Sequence, residues 1–134
     1  GLTKMFECII GTRQGCMLSP FLFVLFLNEF IQLINDSGCQ GIYISEDMPN
    51  TFILLYADDM ANVSDTIGGL QKQINILSQF CSKYGMKVNL DKTKIIVFRN
   101  GGIVCKNEKW FYNNEKIERH LYGDGNSLHF KRLC

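Results

Sequence analysis

Two adjacent aspartates, Asp58 and Asp59, follow directly on the apolar run at residues 52–56. Two carboxylates placed side by side repel each other, and a nearby cation relieves that repulsion. Magnesium prefers oxygen ligands and brings the positive charge that such a pair lacks. Neighbouring side chains of a regular strand face opposite sides, whereas at a tight turn both carboxylates can reach one region. The pair is therefore a candidate metal site, although aspartate is also common in turns that bind nothing.

Composition limits what can surround this pair. The chain has 134 residues, of which 46% are hydrophobic, and this is enough apolar surface for a single domain with one core. The formal net charge is +1. A free-standing nucleic-acid-binding protein normally has a clear surplus of lysine and arginine. Any contact with nucleic acid must then be local, or must use parts of a protein outside this sequence.

Other classes of site have little support in the sequence. The six cysteines are scattered without a Cys-x-x-Cys spacing, and the two histidines lie far from most of them. Neither a disulfide framework nor a zinc site is indicated, and we expect mostly buried, reduced thiols in an intracellular protein. The longest apolar run, at residues 21–27, is much shorter than the ~18 residues of a membrane span. It is expected to be part of a core helix.

The first half of the chain predicts a strand and a helix ahead of the aspartates. Residues 4–10 alternate loosely and predict a strand. A helix is expected to begin with Ser19 as its N-cap and Pro20 in the first helical position. Its body, residues 21–34, is apolar on nearly every side, which predicts that it crosses the interior. The run Asn-Asp-Ser-Gly at residues 35–38 provides its stop.

The aspartates themselves are expected at the tip of a β-hairpin. A buried strand at residues 52–56 and a second strand at 60–63 flank them. Apolar residues at spacings of three and four from about Asp65 predict a second helix, which Gly85 ends. Strands at 86–88 and 93–98 and a turn at 100–102 follow. This order predicts an α+β fold with helices packed on one face of a mainly antiparallel sheet.

Three stretches resemble sequence motifs of reverse transcriptases. Residues 56–59, Tyr-Ala-Asp-Asp, match the signature turn of that family, and residues 11–20 resemble its second palm motif, usually met as Arg-Gln-Gly-x-x-Leu-Ser-Pro. Residues 84–98 resemble the motif that follows the hairpin and its helix. Three motifs in this order, over about residues 5 to 118, are far more specific than any one of them. The chain resembles a partial palm domain of the reverse transcriptases of non-LTR (LINE-type) retrotransposons.

The resemblance implies catalytic roles for three residues. Asp58 would be the main ligand of two catalytic Mg²⁺ (or Mn²⁺) ions, and Asp59 a supporting ligand. The ions would activate the primer 3′-hydroxyl and stabilise the departing pyrophosphate. Lys92 resembles the family's lysine near the triphosphate, where a cation or proton donor assists that departure. An ordinary solvated lysine is the alternative for Lys92, and it applies more strongly to Lys87 and Lys94.

The same resemblance implies a substrate-binding set. Gln14 and Gly15 would lie beside the incoming nucleotide and the template base, where glycine lets the backbone approach closely. Arg13 would contact phosphate. Tyr56 belongs to the same set, and its ring is also expected to have a structural role, closing the core behind the turn. Exposed loop residues without a role are the alternative for Arg13 and Gln14. The aromatic residues at 110–112 could stack on nucleic acid, but aromatics at strand spacing more often form core.

The resemblance also implies that the active site is incomplete. In the family, an essential aspartate lies upstream of the second motif, and the ten residues before Gly11 contain none. Fingers and thumb segments are missing too, so metal binding is expected to be weak and the chain inactive alone. Residues 119–134 do not fit the family pattern. We expect a partial palm domain at residues 1–118 and a divergent, poorly ordered tail at 119–134, for which a reading-frame slip is one hypothesis.

Three functional hypotheses follow. The first is a fragment of an RNA-directed DNA polymerase, whose intact relatives use an RNA template, a DNA primer and deoxynucleoside triphosphates inside the nucleus or cytoplasm, without a membrane. The second is a non-catalytic, decayed or domesticated palm that acts as a scaffold or binding module and needs no metal. The third is a viral RNA-dependent RNA polymerase palm. Its turn is typically Gly-Asp-Asp, and the Arg-Gln-Gly loop followed by Ser-Pro argues against it.

Overall fold

The fold combines two helices with a five-stranded sheet and a small hairpin. A computed structural model describes residues 17–56, 59–98, 108–122 and 129–133. The strand predicted at 4–10 and the turn predicted at 100–102 lie outside these ranges. In chain order the described elements are α1 (Ser19–Asp36), β1 (Ile53–Tyr56), β2 (Asp59–Asn62), α2 (Ile67–Lys83), β3 (Lys94–Phe98), β4 (Phe111–Tyr112), β5 (Glu115–Lys116), β6 (Glu118–Tyr122) and β7 (His129–Leu133).

The larger sheet has the strand order β1-β2-β7-β3-β6. Its pairings are antiparallel except for β3 with β6, which run parallel. Strands β4 and β5 form a separate antiparallel pair whose turn residues, Asn113 and Asn114, have φ values of 47° and 68°. Asparagine tolerates this left-handed region better than most residues, and such turns suit tight hairpins. The observed fold is a mixed α+β arrangement, in agreement with the predicted class.

Helix α1 begins and ends close to its predicted limits. Ser19 is its first helical residue rather than its cap, because Leu18 occupies the N-cap position and makes no side-chain capping bond. Pro20 lies in the first turn, where its missing N–H is not needed. At the other end Ser37 is the C-cap, and Gly38 adopts a φ of 69° that other residues rarely take.

The prediction that α1 crosses the interior is wrong for the described part of the chain. Only Leu27, Phe30 and Ile34, at spacings of three and four, are buried. Phe21 and Leu22 are 61% and 52% exposed. Helix α2 and the sheet cover one face of α1. The apolar side chains on its other faces have no described element packed against them, so they stay exposed.

Helix α2 matches its predicted pattern. The Thr66 hydroxyl caps its N-terminus by accepting from the Gly69 amide at 3.0 Å. A Cβ at Gly69 would lie 2.5 Å from the Ser64 hydroxyl oxygen, so a side chain there would disturb the cap. Gly85, with a φ of 65°, follows the last turn. The face that α2 buries is formed by Leu70, Gln73, Ile74, Leu77, Phe80 and Cys81.

Aromatic rings join the two helices. Phe80 of α2 packs against Phe26 and Phe30 of α1, with ring centroids 5.2 and 5.4 Å apart. Phe26 also meets the Tyr84 ring edge-on at 4.7 Å. These separations lie in the range in which aromatic pairs add to simple area burial. The helix pair therefore forms a firm layer against the sheet, whose β3 residues Ile95 and Val97 are fully buried in the same core.

The strand predicted at residues 86–88 is absent from the described structure. The Met86 amide donates instead to the Cys81 carbonyl at 2.8 Å, which continues the end of α2. A turn follows, in which the Asn89 side-chain oxygen accepts from the backbone amides of Asp91 and Lys92. Strand β3 then begins at Lys94, one residue later than predicted.

The region after β3 contributes to the core. Trp110 is fully buried and its indole N–H donates to the Ile67 carbonyl at 3.3 Å. Tyr112 is also buried, which confirms the core interpretation for both rings, whereas Phe111 is 41% exposed. Regular structure continues past residue 118, because β6 runs from Glu118 to Tyr122 and β7 lies inside the sheet. The expected division at residue 118 and the order of the tail stay predictions.

Two of the cysteines can be assessed directly. Cys39 and Cys81 are buried, as expected, and the other four lie outside the described residues. No helix within the described ranges is long and apolar enough to cross a membrane.

Candidate functional site

The predicted hairpin is present, and it places Asp59 at the start of β2. Strands β1 and β2 pair antiparallel, with Tyr56 opposite Asp59 and Leu55 opposite Met60. Ala57 and Asp58 connect the two strands and lie outside the described residues. A connection of two residues between paired positions is the shortest common hairpin link. Asp59 therefore stands at the turn end of the hairpin, but as the first residue of β2, one residue earlier than the predicted strand.

The two faces of β2 differ in burial. Met60 and Asn62 are buried, whereas Asp59 and Ala61 are only half-buried. This follows from the alternation of side chains along a strand. Helices α1 and α2 cover the side to which Met60 belongs, since Met60 shares the core cluster with Phe30 and Leu77. The carboxylate of Asp59 keeps access to solvent at the end of the strand.

The predicted structural role of Tyr56 is wrong. Its side chain is 83% exposed, so its ring does not close the core. Tyr56 is the last residue of β1, next to the turn, and no described element packs over it there. The exposed ring lines a cavity together with Leu54, Asp59, Ala61 and Ile96.

A second cavity, of about 110 Å³, lies between the hairpin and the helices. Its wall is formed largely by apolar side chains, among them Leu55 and Met60 of the hairpin and Leu77 of α2. Asp59 and Lys87 are its charged members. Asp59 thus lines both cavities, and Lys87 lines one of them.

The lysine that lines the cavity with Asp59 is Lys87 and not Lys92. Lys92 is exposed in the turn before β3, and it lines neither of the two cavities to which Asp59 contributes. Its backbone amide donates to the Asn89 side chain. Sequence reasoning treated Lys87 as a plain surface residue. The sequence could not show that Lys87 lies near Asp59, because this depends on how the chain returns toward the hairpin after α2.

Several predicted site residues are not placed by the structure. Asp58 and the loop residues Arg13, Gln14 and Gly15 lie outside the described ranges. Their distances to Asp59 are therefore predictions. Of the predicted site, Asp59, Tyr56 and Lys92 have described positions, and the first two are neighbours across the hairpin.

The donor set at the hairpin fits a magnesium ion better than a transition metal. No group of three or more histidine, cysteine, aspartate or glutamate side chains gathers among the described residues. Magnesium does not need such a group, because it keeps several water ligands and is commonly held by one or two carboxylates together with substrate phosphates. Asp59 offers one half-buried carboxylate at the start of β2, and Asp58 precedes it in the sequence.

An exposed ion pair away from the hairpin also joins the two helices. The Lys83 ammonium lies 2.5 Å from a Glu29 carboxylate oxygen, and the Tyr84 hydroxyl donates to the same carboxylate. These hydrogen bonds, with that from Lys83 the larger cause, hold the pKa of Glu29 below its ordinary value. Glu29 also raises the pKa of Lys83. Through this pair α1 and α2 are joined at the end of α2 that leads into the Lys87 segment.

Comparison with known proteins identifies the family. Residues 3–122 match the family model described as reverse transcriptase (RNA-dependent DNA polymerase). The chain is 30% identical over 109 residues to the retrovirus-related Pol polyprotein from type-1 retrotransposable element R2 of Popillia japonica. That alignment covers 80% of this chain and 15% of the relative.

A second relative gives the same answer. The chain is 29% identical over 89 residues to the "Probable RNA-directed DNA polymerase from transposon BS" of Drosophila melanogaster, an alignment that covers 62% of this chain and 9% of the relative. No solved structure matches significantly. The chain spans a small fraction of the length of both relatives. With a family match over most of its length, the chain belongs to the reverse transcriptase (RNA-dependent DNA polymerase) family, as a non-LTR retrotransposon reverse transcriptase domain.

Proposed function

We propose that this chain is the metal-binding part of the palm of an RNA-directed DNA polymerase, and that it is inactive without further segments of its parent protein. One observation carries the proposal: the antiparallel pairing of Tyr56 with Asp59 in a chain of this family. That pairing brings an aspartate to the end of a hairpin beside a second aspartate in sequence, where both carboxylates can serve one cation.

Under this proposal each site residue has a definite task. Asp58 and Asp59 hold two Mg²⁺ (or Mn²⁺) ions, which when bound supply charge stabilisation for the attacking and leaving oxygens. Tyr56 contacts substrate. Its side chain is 83% exposed and is therefore accessible to a bound nucleotide or nucleic acid. Gln14 and Gly15 lie beside the nucleotide and the template, and Arg13 contacts phosphate. Lys92 donates a proton or offers a cation to the departing pyrophosphate.

The proposed incompleteness rests on the supply of carboxylates. The first aspartate in the 134 residues is Asp36, in the last turn of α1, so no aspartate precedes the stretch at residues 11–20 in this sequence. Under this proposal the longer protein supplies that aspartate. Two carboxylates bind Mg²⁺ weakly when no substrate phosphate completes the coordination shell. The template, primer and nucleotide are then partners of the longer protein, together with its fingers and thumb segments.

A Mg²⁺ titration followed by NMR of the backbone amides tests the metal site. We expect saturable shifts at Asp58 and Asp59, and Mn²⁺ should broaden the same signals because it is paramagnetic. The double variant D58N/D59N should lose both responses, since each substitution removes a negative charge and keeps the side-chain size. Asp65→Asn is the matched control: Asp65 is exposed just before α2, and its loss should change neither response. Absence of any local shift in the unmodified chain would favour the scaffold hypothesis.

A further inference from the structure

Two buried amide side chains between β2 and α2 leave polar atoms unpaired. Asn62 and Gln73 are both fully buried. Within the described residues, the Asn62 Nδ2 and Oδ1 atoms and the Gln73 Oε1 atom have no hydrogen-bond partner. The Gln73 Nε2 group does have one, because it donates to the Val63 carbonyl at 3.1 Å. Buried polar atoms in proteins almost always have partners, so these three unpaired atoms need an explanation.

The two side chains lie in the same layer of the protein. Asn62 follows Met60 by two residues on β2 and therefore points to the same, helix-covered side of the sheet. Gln73 belongs to the buried face of α2, between Leu70 and Leu77. Its amide is bonded to the carbonyl of Val63, the residue next to Asn62. Both side chains are thus buried in the layer between helix and sheet, and the Gln73 amide contacts the residue that follows Asn62.

The types of the unpaired atoms match the hydrogen-bonding groups of a water molecule. Two of them are acceptors, Asn62 Oδ1 and Gln73 Oε1, and the third, Asn62 Nδ2, is a donor. Water has two O–H donors for the two acceptors and an oxygen that accepts from the amide. Buried waters in proteins typically make about three hydrogen bonds of this kind. We infer that one buried water bridges Asn62 and Gln73 and joins β2 to α2.

This bridge would fix the position of Asp59. Strand β2 lies between β1 and β7, and Asn62 is three residues after Asp59. A slip of β2 by one residue would put the apolar side chain of Ala61 or Val63 where the polar groups meet, and it would turn every side chain to the opposite face. Asn62 and Gln73 are therefore positioning residues for Asp59. This last step rests on the proposed metal-binding function, whereas the bridge itself does not.

A double-mutant cycle on the 134-residue chain tests the bridge. Asn62→Leu and Gln73→Met keep approximate size and remove hydrogen bonding, so each alone leaves polar partners unpaired. Each single variant should reduce the ratio of folded to unfolded chain by roughly tenfold. The double variant N62L/Q73M should lose much less than the product of the two losses, since no side-chain amide remains unpaired. The bond from Gln73 to the Val63 carbonyl is lost in both Q73M and the double variant, so it cancels from the comparison. Gln79→Met, on an exposed position of α2, should change little. Losses that simply multiply would overturn the bridge.

The water itself can be detected without any substitution. In the unmodified chain, the side-chain amide protons of Asn62 should show a nuclear Overhauser effect to a slowly exchanging water, and these protons should exchange slowly with solvent. Absence of that cross-peak, or fast exchange of the Asn62 amide protons, would overturn the inference even if the variants did not fold.

The positioning role has its own measurement. The dissociation constant for Mg²⁺, read from the Asp59 amide shift, should rise several-fold in N62L/Q73M when the comparison is made on fully folded protein. A merely structural bridge would leave that constant unchanged, and this result would refute the positioning role. If the unmodified chain shows no Mg²⁺ response at all, the proposed function fails, while the cycle and the Overhauser measurement still decide the bridge.

Discussion

Tyr112 shows how burial changes the chemistry of a single residue. Burial disfavours the charged phenolate, and this effect, followed by the proximity of Cys81, raises the pKa of Tyr112 to about 12. A group whose pKa is raised on folding stabilises the protein fully below its unfolded-state pKa. That contribution is lost as the pH rises through the folded-state value. The stabilising contribution of Tyr112 should therefore decrease as the pH rises from 10 to about 12.

We expect Tyr112→Phe to remove this alkaline dependence, because phenylalanine has no proton to lose and keeps the ring in the core. Urea unfolding at a series of pH values up to about 12, in both proteins, measures the difference in the free energy of unfolding. The difference in the free energy of unfolding should be constant near neutral pH. Above pH 10 the unmodified chain should lose stability and the variant should not, so the difference shifts toward the variant. A difference that stays constant throughout would contradict the assignment. Ultraviolet titration of the tyrosinate gives an independent reading of the same ionisation.

Single residues also mark where sequence reasoning was limited. Asp59 was identified because the Tyr-Ala-Asp-Asp motif is a local signal, and the observed hairpin agrees with it. Lys87, Asn62 and Gln73 were missed because their importance arises from burial and from neighbours distant in sequence. For Gln73 a signal existed: it follows Leu70 by three residues and precedes Leu77 by four, which puts it on the apolar face of α2.

At the scale of elements, we expect one part of the contact between α1 and α2, the exposed ion pair of Glu29 and Lys83, to depend on pH. The Lys83 hydrogen bond, and then that of Tyr84, lower the pKa of Glu29. A carboxyl group with a lowered pKa stabilises the fold above its unfolded-state value, and the contribution is lost as the pH falls through the folded-state value. The helix pair should therefore loosen on the acid side, and salt should weaken the effect because the pair is exposed.

Lys83→Met tests the cause of this shift. Removal of the ammonium should move the pKa of Glu29 back up toward its ordinary value, as measured by carbon NMR of the Glu29 carboxyl group during an acid titration. Lys72→Met is the matched control on the same helix, because the Lys72 ammonium donates to the Ser37 carbonyl and not to Glu29. Equal effects of the two substitutions would mean that general charge, and not the Lys83 contact, governs Glu29.

The elements differ in how well their patterns could be interpreted. Helix α2 has a clear apolar stripe, and the stripe is the face that it buries. Helix α1 is apolar nearly all round, and such a pattern cannot indicate which face meets the rest of the chain. The predicted strand at 86–88 failed for a different reason, because the Met86 amide is taken by the Cys81 carbonyl at the end of α2. Local apolarity does not reveal that competition.

At the scale of the whole molecule, the class of the fold was predictable and the strand order was not. The pairing of consecutive β1 and β2 was predicted from two adjacent apolar strands, although β2 begins at Asp59 and not at residue 60 as expected. The placement of β7 between β2 and β3 depends instead on contacts between distant segments. The parallel partner of β3 is likewise a late strand, β6. The palm-like interpretation of this sheet belongs to the proposed function, since the class alone fits many α+β proteins.

The whole chain should fail to copy RNA by itself. Its net charge of +1 leaves few cations to neutralise the phosphates of a template and primer, and its hairpin offers only two carboxylates for two metal ions. We expect no primer extension on an RNA template with all four nucleotides and either Mg²⁺ or Mn²⁺. A complete reverse transcriptase in the same assay establishes that the conditions permit synthesis. Extension by the chain alone that Asp58→Asn abolishes would show that these residues suffice for polymerisation. The missing carboxylate would then have to be supplied from within the 134 residues, and Asp36, Asp47 and Asp65 would be the first to substitute.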